Sequence, residues 1–163
     1  MTTNELQVLR EKFIESAGQF SQSLGFGRNL GQIYAYLYFN AEPQTLDDLT
    51  SQLGVSKGSA SMSVRQLEDW NALRRVWVKG DRKDYYQATE EFGRIIRKAL
   101  LDLVGQKMEA ADNLLDQAEL QLKTHGNGSR EAALLRQRVA RLRTFRQKAQ
   151  GLWESSIIRL LLK

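Results

Sequence analysis

The segment Ser56-Lys57-Gly58-Ser59-Ala60-Ser61-Met62-Ser63-Val64-Arg65 offers hydroxyls, an ammonium and a guanidinium on a run of small residues. At helical spacing Ala60, Val64 and Leu67 share one side, while Lys57, Ser59, Ser61, Met62 and Arg65 point elsewhere. Ser56 is placed to cap such a helix. Small donors and a guanidinium on a slim helix are the chemistry of base edges and phosphates, not of bond cleavage. Gly58 and the serines permit close approach, although Gly58 costs the helix ~1 kcal/mol relative to Ala. A second basic pair, Arg82 and Lys83, lies in the polar turn Gly80-Asp81-Arg82-Lys83-Asp84. There it can reach a minor groove or neighbouring phosphates. Asp81 and Asp84 flank the pair and are placed to orient it; because they also offset its charge, Arg82 is the preferred contact. Arg74, Arg75 and Lys79 are further phosphate candidates, or a solvated edge that discourages strand pairing between molecules.

These side chains need elements to hold them. Leu6, Leu9, Phe13, Ala17, Phe20 and Leu24 trace an amphipathic helix over 4–24, and Gly25 and Gly27 end it. A second helix fits 28–40, apolar nearly all round, with Pro43 closing the connection after it. Thr45 reads as an N-cap for a short helix through Leu46, Leu49 and Leu53. Asp47 and Asp48 lie in its first turn, and Gly54 is a left-handed cap. Asn71 stops the next helix. The period then falls to two: runs 75–79 and 85–89 predict a two-stranded hairpin. Thr89, followed by Glu90 and Glu91, marks another helix start. An apolar stripe continues to Thr124, 125–128 turns, and Ser129 caps a last helix that Gly151 weakens. Each of the two long helices has about 33 residues and spans roughly 50 Å.

The chain has 163 residues, 24 Lys and Arg against 19 Asp and Glu, and a net charge of +5. The charge is uneven: residues 57–98 hold ten basic and six acidic side chains, and residues 129–163 hold nine and two. Basic blocks on an otherwise acidic chain favour a polyanion partner. No cysteine and one histidine, His125, rule out thiolate zinc, disulfides and a cysteine nucleophile, and leave little for a His-based metal cage or triad. No metal site, cofactor site or catalytic residue is expected, and an enzyme is the least favoured class. Met1-Thr2-Thr3-Asn4-Glu5 has neither the basic nor the apolar part of a signal peptide, and no apolar run nears the ~20 residues of a membrane span. The expectation is a cytoplasmic protein with no membrane partner.

Residues 45–89 thus read helix, turn, helix, hairpin, the plan in which the second helix enters a major groove. The run from Leu53 to Glu68, followed by Arg74-Arg75-Val76-Trp77-Val78-Lys79-Gly80-Asp81-Arg82-Lys83-Asp84-Tyr85-Tyr86, resembles the GbsR branch of the MarR-type transcriptional regulators. The resemblance includes Phe13-Ile14-Glu15 and Gly31-Gln32-Ile33-Tyr34 and covers roughly residues 10–100. It implies a bacterial or archaeal homodimeric regulator, usually a repressor, that binds an operator near promoters. Met62 stands where many winged helices place a base-reading arginine. Residues 101–163 carry no matched motif.

The expected architecture is mainly α. A helix over 1–27 serves dimerisation, a winged helix-turn-helix with a two-stranded wing occupies 28–92, and two long dimerisation helices occupy 93–163. Stripes of that length need a partner beyond a small wing domain; the rival is a monomeric helical hairpin. A two-fold dimer matches a pseudo-palindromic operator in double-stranded DNA. The expected DNA contacts are Ser56, Lys57, Ser59, Ser61, Met62, Arg65, Arg82 and Lys83. Tyr34, Tyr36, Tyr38 and Trp77 are either a cage for a quaternary ammonium effector or core and interface filler. The basic block Arg130, Arg136, Arg138, Arg141, Arg143, Arg146 and Lys148 has three readings: a solvated face, partners for the acidic residues 102–119, or extra contact with DNA or an anionic surface. The alternative from another class is an interaction adaptor without DNA binding.

Overall fold

A computed structural model of the chain describes residues 2–125 and 128–154. Its elements run α1 (Thr3–Ser23), α2 (Arg28–Tyr38), β1 (Gln44–Thr45), α3 (Leu46–Leu53), α4 (Lys57–Asp69), β2 (Leu73–Val76), β3 (Tyr85–Ala88), α5 (Phe92–His125) and α6 (Arg130–Glu154). They divide into two compact units, residues 1–99 and the residues from Leu100 onward.

In the first unit, local chemistry places the ends of α3 and α4 where spacing predicts them. Thr45 forms a reciprocal capping box with Asp48, whose N–H donates to Thr45 Oγ1 at 3.2 Å while its carboxylate accepts from the Thr45 N–H at 2.8 Å. Gly54 ends α3 in the left-handed conformation, at φ 65°. Asn71, at φ 57°, takes the same region after α4. The core gathers Leu30, Ile33, Leu37, Leu49, Val64, Leu67, Trp70, Leu73 and Tyr86 around α2. The opposite side of α2 lies against α1 so closely that a Cβ on Gly31 would sit 2.1 Å from the Ala17 carbonyl oxygen. Only glycine fits there.

Two expectations about the sheet are corrected. The wing is not a two-stranded hairpin: β1 joins it, giving an antiparallel sheet of order β1-β3-β2 with Gln44 opposite Tyr86 and Leu73 opposite Ala88. Two residues after a proline carry no readable alternation, and Thr45 serves as both strand residue and helix cap. The first wing strand is also shifted, from 75–79 to Leu73–Val76. Buried Leu73 pulls it back, and the turn closed by the Asp81 N–H on the Val78 carbonyl (3.2 Å) draws 77–80 off the ladder. Thr89 does not start α5. Its N–H donates to Ala72 O at 2.8 Å and its hydroxyl to Asn71 O at 2.6 Å, so the helix begins at Phe92.

In the second unit α5 continues to His125, its 34 residues spanning about 51 Å. Ser129 caps α6, accepting from the Ala132 N–H at 3.1 Å. The last helix continues through Gly151 to Glu154; the remainder of the expected stripe, including Leu160, lies outside the described residues. Arg143 bridges Glu119 (3.0 Å) and Asp116, and Arg146 bridges Asp112 at 2.6 Å, so α6 runs antiparallel to α5. Of the three readings of the basic block, pairing with the acidic stretch holds for these two arginines. Among the described residues no helix is long and apolar enough to cross a membrane.

Candidate nucleic-acid interface

Helix α4 is built to face two ways. Ala60, Val64 and Leu67 are each no more than 2% exposed and key it into the core. The Ser56 hydroxyl accepts from the Ser59 N–H at 3.2 Å and fixes its start. On the outer side Met62 is 76% exposed, and Arg65 is exposed with no hydrogen-bond or ion-pair partner among the described residues. A Cβ added to Gly58, one turn before Met62, would meet nothing within 4 Å. Ser61 is half-buried beside them. Lys57 is exposed and lies 3.3 Å from Asp47, a contact in open solvent that adds little stability.

Ser59 is also engaged from within the fold. Its hydroxyl accepts from Asn29 Nδ2 at 2.6 Å, which ties α4 to α2 and leaves the O–H as a donor. Asn29 carried no periodic signal, because its partner lies thirty residues away.

The wing, residues 77–84, holds Arg82 and Lys83 exposed at its tip. Neither flanking aspartate forms an ion pair with Arg82, contrary to expectation. Asp81 accepts from the Tyr85 hydroxyl at 2.8 Å and the Lys83 N–H at 3.0 Å. Those bonds hold its carboxyl below the usual carboxylate range. Asp84 lies 3.3 Å from Arg75 instead. Arg75 also forms a two-pronged pair with Glu68 at 2.7 and 3.2 Å and lies over the Tyr86 ring. It is therefore a brace between α4 and the wing rather than an open phosphate contact. Arg74 bonds the Gln87 side chain at 2.9 Å across the strands. Glu68 was not visible as a partner because the chain reverses between it and Arg75.

The four aromatic effector candidates do not form one cage. Tyr34 and Tyr38 stack at 6.1 Å, and Tyr38 meets Phe92 at 5.3 Å and Phe39 at 5.2 Å. The Tyr34 hydroxyl donates to Thr89 O at 2.8 Å, and burial pushes its pKa up to about 12. Tyr36 lines a separate cleft of about 590 Å³ between α1, α2 and α3, with Arg10, Glu11, Gln32 and Gln52. Trp77, 78% exposed, sits at the wing with no ring neighbour among the described residues. Opposed residues on α2 and a residue beyond β2 cannot converge within one chain. Among the described residues no group of His, Asp or Glu could hold a metal ion.

With this geometry in hand, the likenesses to known proteins are informative. No family model matches the chain. Over 82 residues it is 32% identical to the HTH-type transcriptional repressor OpcR of Bacillus subtilis, covering 50% of this chain and 44% of that protein. Over 87 residues it is 30% identical to the HTH-type transcriptional repressor GbsR of the same organism, covering 53% and 48%. The chain is similar to the GbsR-type regulators. It spans about half the length of the curated relatives it matches. A solved structure of a transcriptional regulator matches 88% of this chain and 97% of its own, with a TM-score of 0.50 at 23% identity. The fold is accordingly a winged helix-turn-helix, the GbsR-type likeness covering about half of the chain.

Proposed function

We propose that this chain is a dimeric, sequence-specific DNA-binding transcriptional regulator that acts as a repressor. Helix α4 enters the major groove and the wing lies along the neighbouring backbone, with Lys57, Ser61, Met62, Arg65, Arg82 and Lys83 as contacts. Ser56 and Ser59 set the helix in place. The carrying observation is the outer face of α4: a guanidinium with no ion pair and an exposed thioether, backed by a rigid apolar side. A solvated helix has no need of a braced wing beside it, and over about half of its length the chain is similar to the repressors OpcR and GbsR. The protein acts in the cytoplasm and carries out no enzymatic reaction.

Dimerisation is supported by apolar surface in each unit. In the first, Leu6, Phe13 and Phe20 on α1 are at least half exposed; in the second, Leu114, Leu142 and Phe145 are also more than half exposed. The cleft beside Tyr36 is the candidate place for a small effector, its guanidinium, carboxylates and amides suiting a polar ligand.

Electrophoretic shift with duplex DNA across a salt series tests the reading. Affinity falls steeply with salt, and Arg65→Ala and Arg82→Ala each lower both affinity and the slope, by about 0.9 per lost phosphate contact. Salt-independent, near-zero affinity for duplex DNA refutes it.

A further inference from the structure

The buried side of α4 fixes which residues lie diametrically outward. Ala60, Val64 and Leu67 point into the core. At 100° per residue the opposite meridian carries Gly58 and Met62, and two turns beyond Met62 the exposed Asp69 at the helix end, with Arg65 on one flank. Helical side chains lean toward the N-terminus, so Met62 lies over the turn that begins at Gly58. No side chain competes there, since a Cβ at 58 would find open space. In the N-terminal half of α4 the centre of the outward face is therefore neutral and apolar, one residue wide, with Arg65 and then Ser61 on one side of Met62 and Gln66 on the other.

Single exposed apolar residues are ordinary on protein surfaces. Position makes this one different: it occupies the part of α4 that goes deepest if the helix enters a groove. A thioether reads no hydrogen-bond pattern. The apolar feature that base edges present in the major groove is the C5-methyl of thymine. Methionine, unbranched and polarizable, adapts to such a group without demanding one geometry.

We propose that Met62 is a specificity-determining residue that recognises thymine by packing on its C5-methyl group, with Gly58 leaving the room for the base to approach. The inference rests on the DNA-binding reading and adds to it the chemical class of the base read at the centre of each half-site.

The test uses the full chain. Duplexes that it retains are selected from a random pool, and each thymine of the selected site is replaced in turn by deoxyuridine, which removes the methyl and keeps the pairing. At one or two positions per half-site the unsubstituted protein loses about fourfold in affinity, the effect of one buried methyl. Met62→Ala binds the thymine duplex more weakly by a similar or larger factor and is indifferent to deoxyuridine at those same positions. Met62→Leu retains the discrimination. Deoxyuridine having no effect anywhere, or the same effect on the protein and on Met62→Ala, overturns the inference while leaving DNA binding intact. A pool from which no duplex is retained overturns the DNA-binding reading and this one with it.

Discussion

Gly58→Ala separates the needs of the fold from the needs of the interface. Gly58 is the second residue of α4, its φ is not in the positive range, and an added Cβ meets nothing within 4 Å. The methyl therefore introduces no clash, while the unfolded chain loses freedom and the helix gains propensity. Folding stability should rise by about 0.4–1 kcal/mol. For a chain of this size that raises the Tm by about 1–4 °C. If α4 meets the groove along the line of Gly58 and Met62, the same methyl lifts the helix from the bases. Affinity for a selected duplex should then drop at least about tenfold, or 1.4 kcal/mol. Differential scanning calorimetry and fluorescence anisotropy read the two quantities on one preparation. Higher stability together with unaltered affinity would refute the orientation, because nothing would be approaching Gly58 closely.

Three further outcomes are expected. Thr45→Ala should cost about 1 kcal/mol in chemical denaturation through loss of the α3 cap. Because the Thr45 hydroxyl and amide hold the Asp48 carboxyl below its ordinary value, that stabilisation is complete above the carboxylate range and fades as pH falls through the depressed folded value; a Thr45→Ala protein whose acid limb matches the parent's contradicts this. Asn29→Ala and Ser59→Ala should each weaken DNA binding, and the double variant no more than either alone, since both break one bond; additive losses in a double-mutant cycle would return Ser59 to the list of direct contacts. Phe145→Glu, at a site 71% exposed in the second unit, should yield monomer in sedimentation experiments with helicity retained; an unshifted dimer would place the interface elsewhere.

Most of the helical frame was legible because its signals are local. The Thr45 cap, Gly54 and Asn71 act within four residues, and the inner stripe of Ala60, Val64 and Leu67 needs only the helical period. What escaped reading depends on chain reversal. Strand β1 exists because β3 returns beside it, and Thr89 is held by residues 71 and 72, eighteen and seventeen positions back. The site divided the same way. Exposure of Met62, Arg65, Arg82 and Lys83 followed from spacing and turn chemistry. The engagement of Ser59 by Asn29, and of Arg75 by Glu68 and Asp84, did not, because a side chain's type gives its capacity to bond and not its partner.

The missing side chain at Gly31 joins α1 to α2 backbone on backbone, with no compressible layer between them. Two residues before that contact, Asn29 grips Ser59 at the start of α4. A tilt of the first helix therefore bears directly on α2 and, through the Asn29–Ser59 bond, on the start of α4. The bearing of α4 is set from the chain's opening residues, and a wedge as small as one methyl at position 31 would throw it off line.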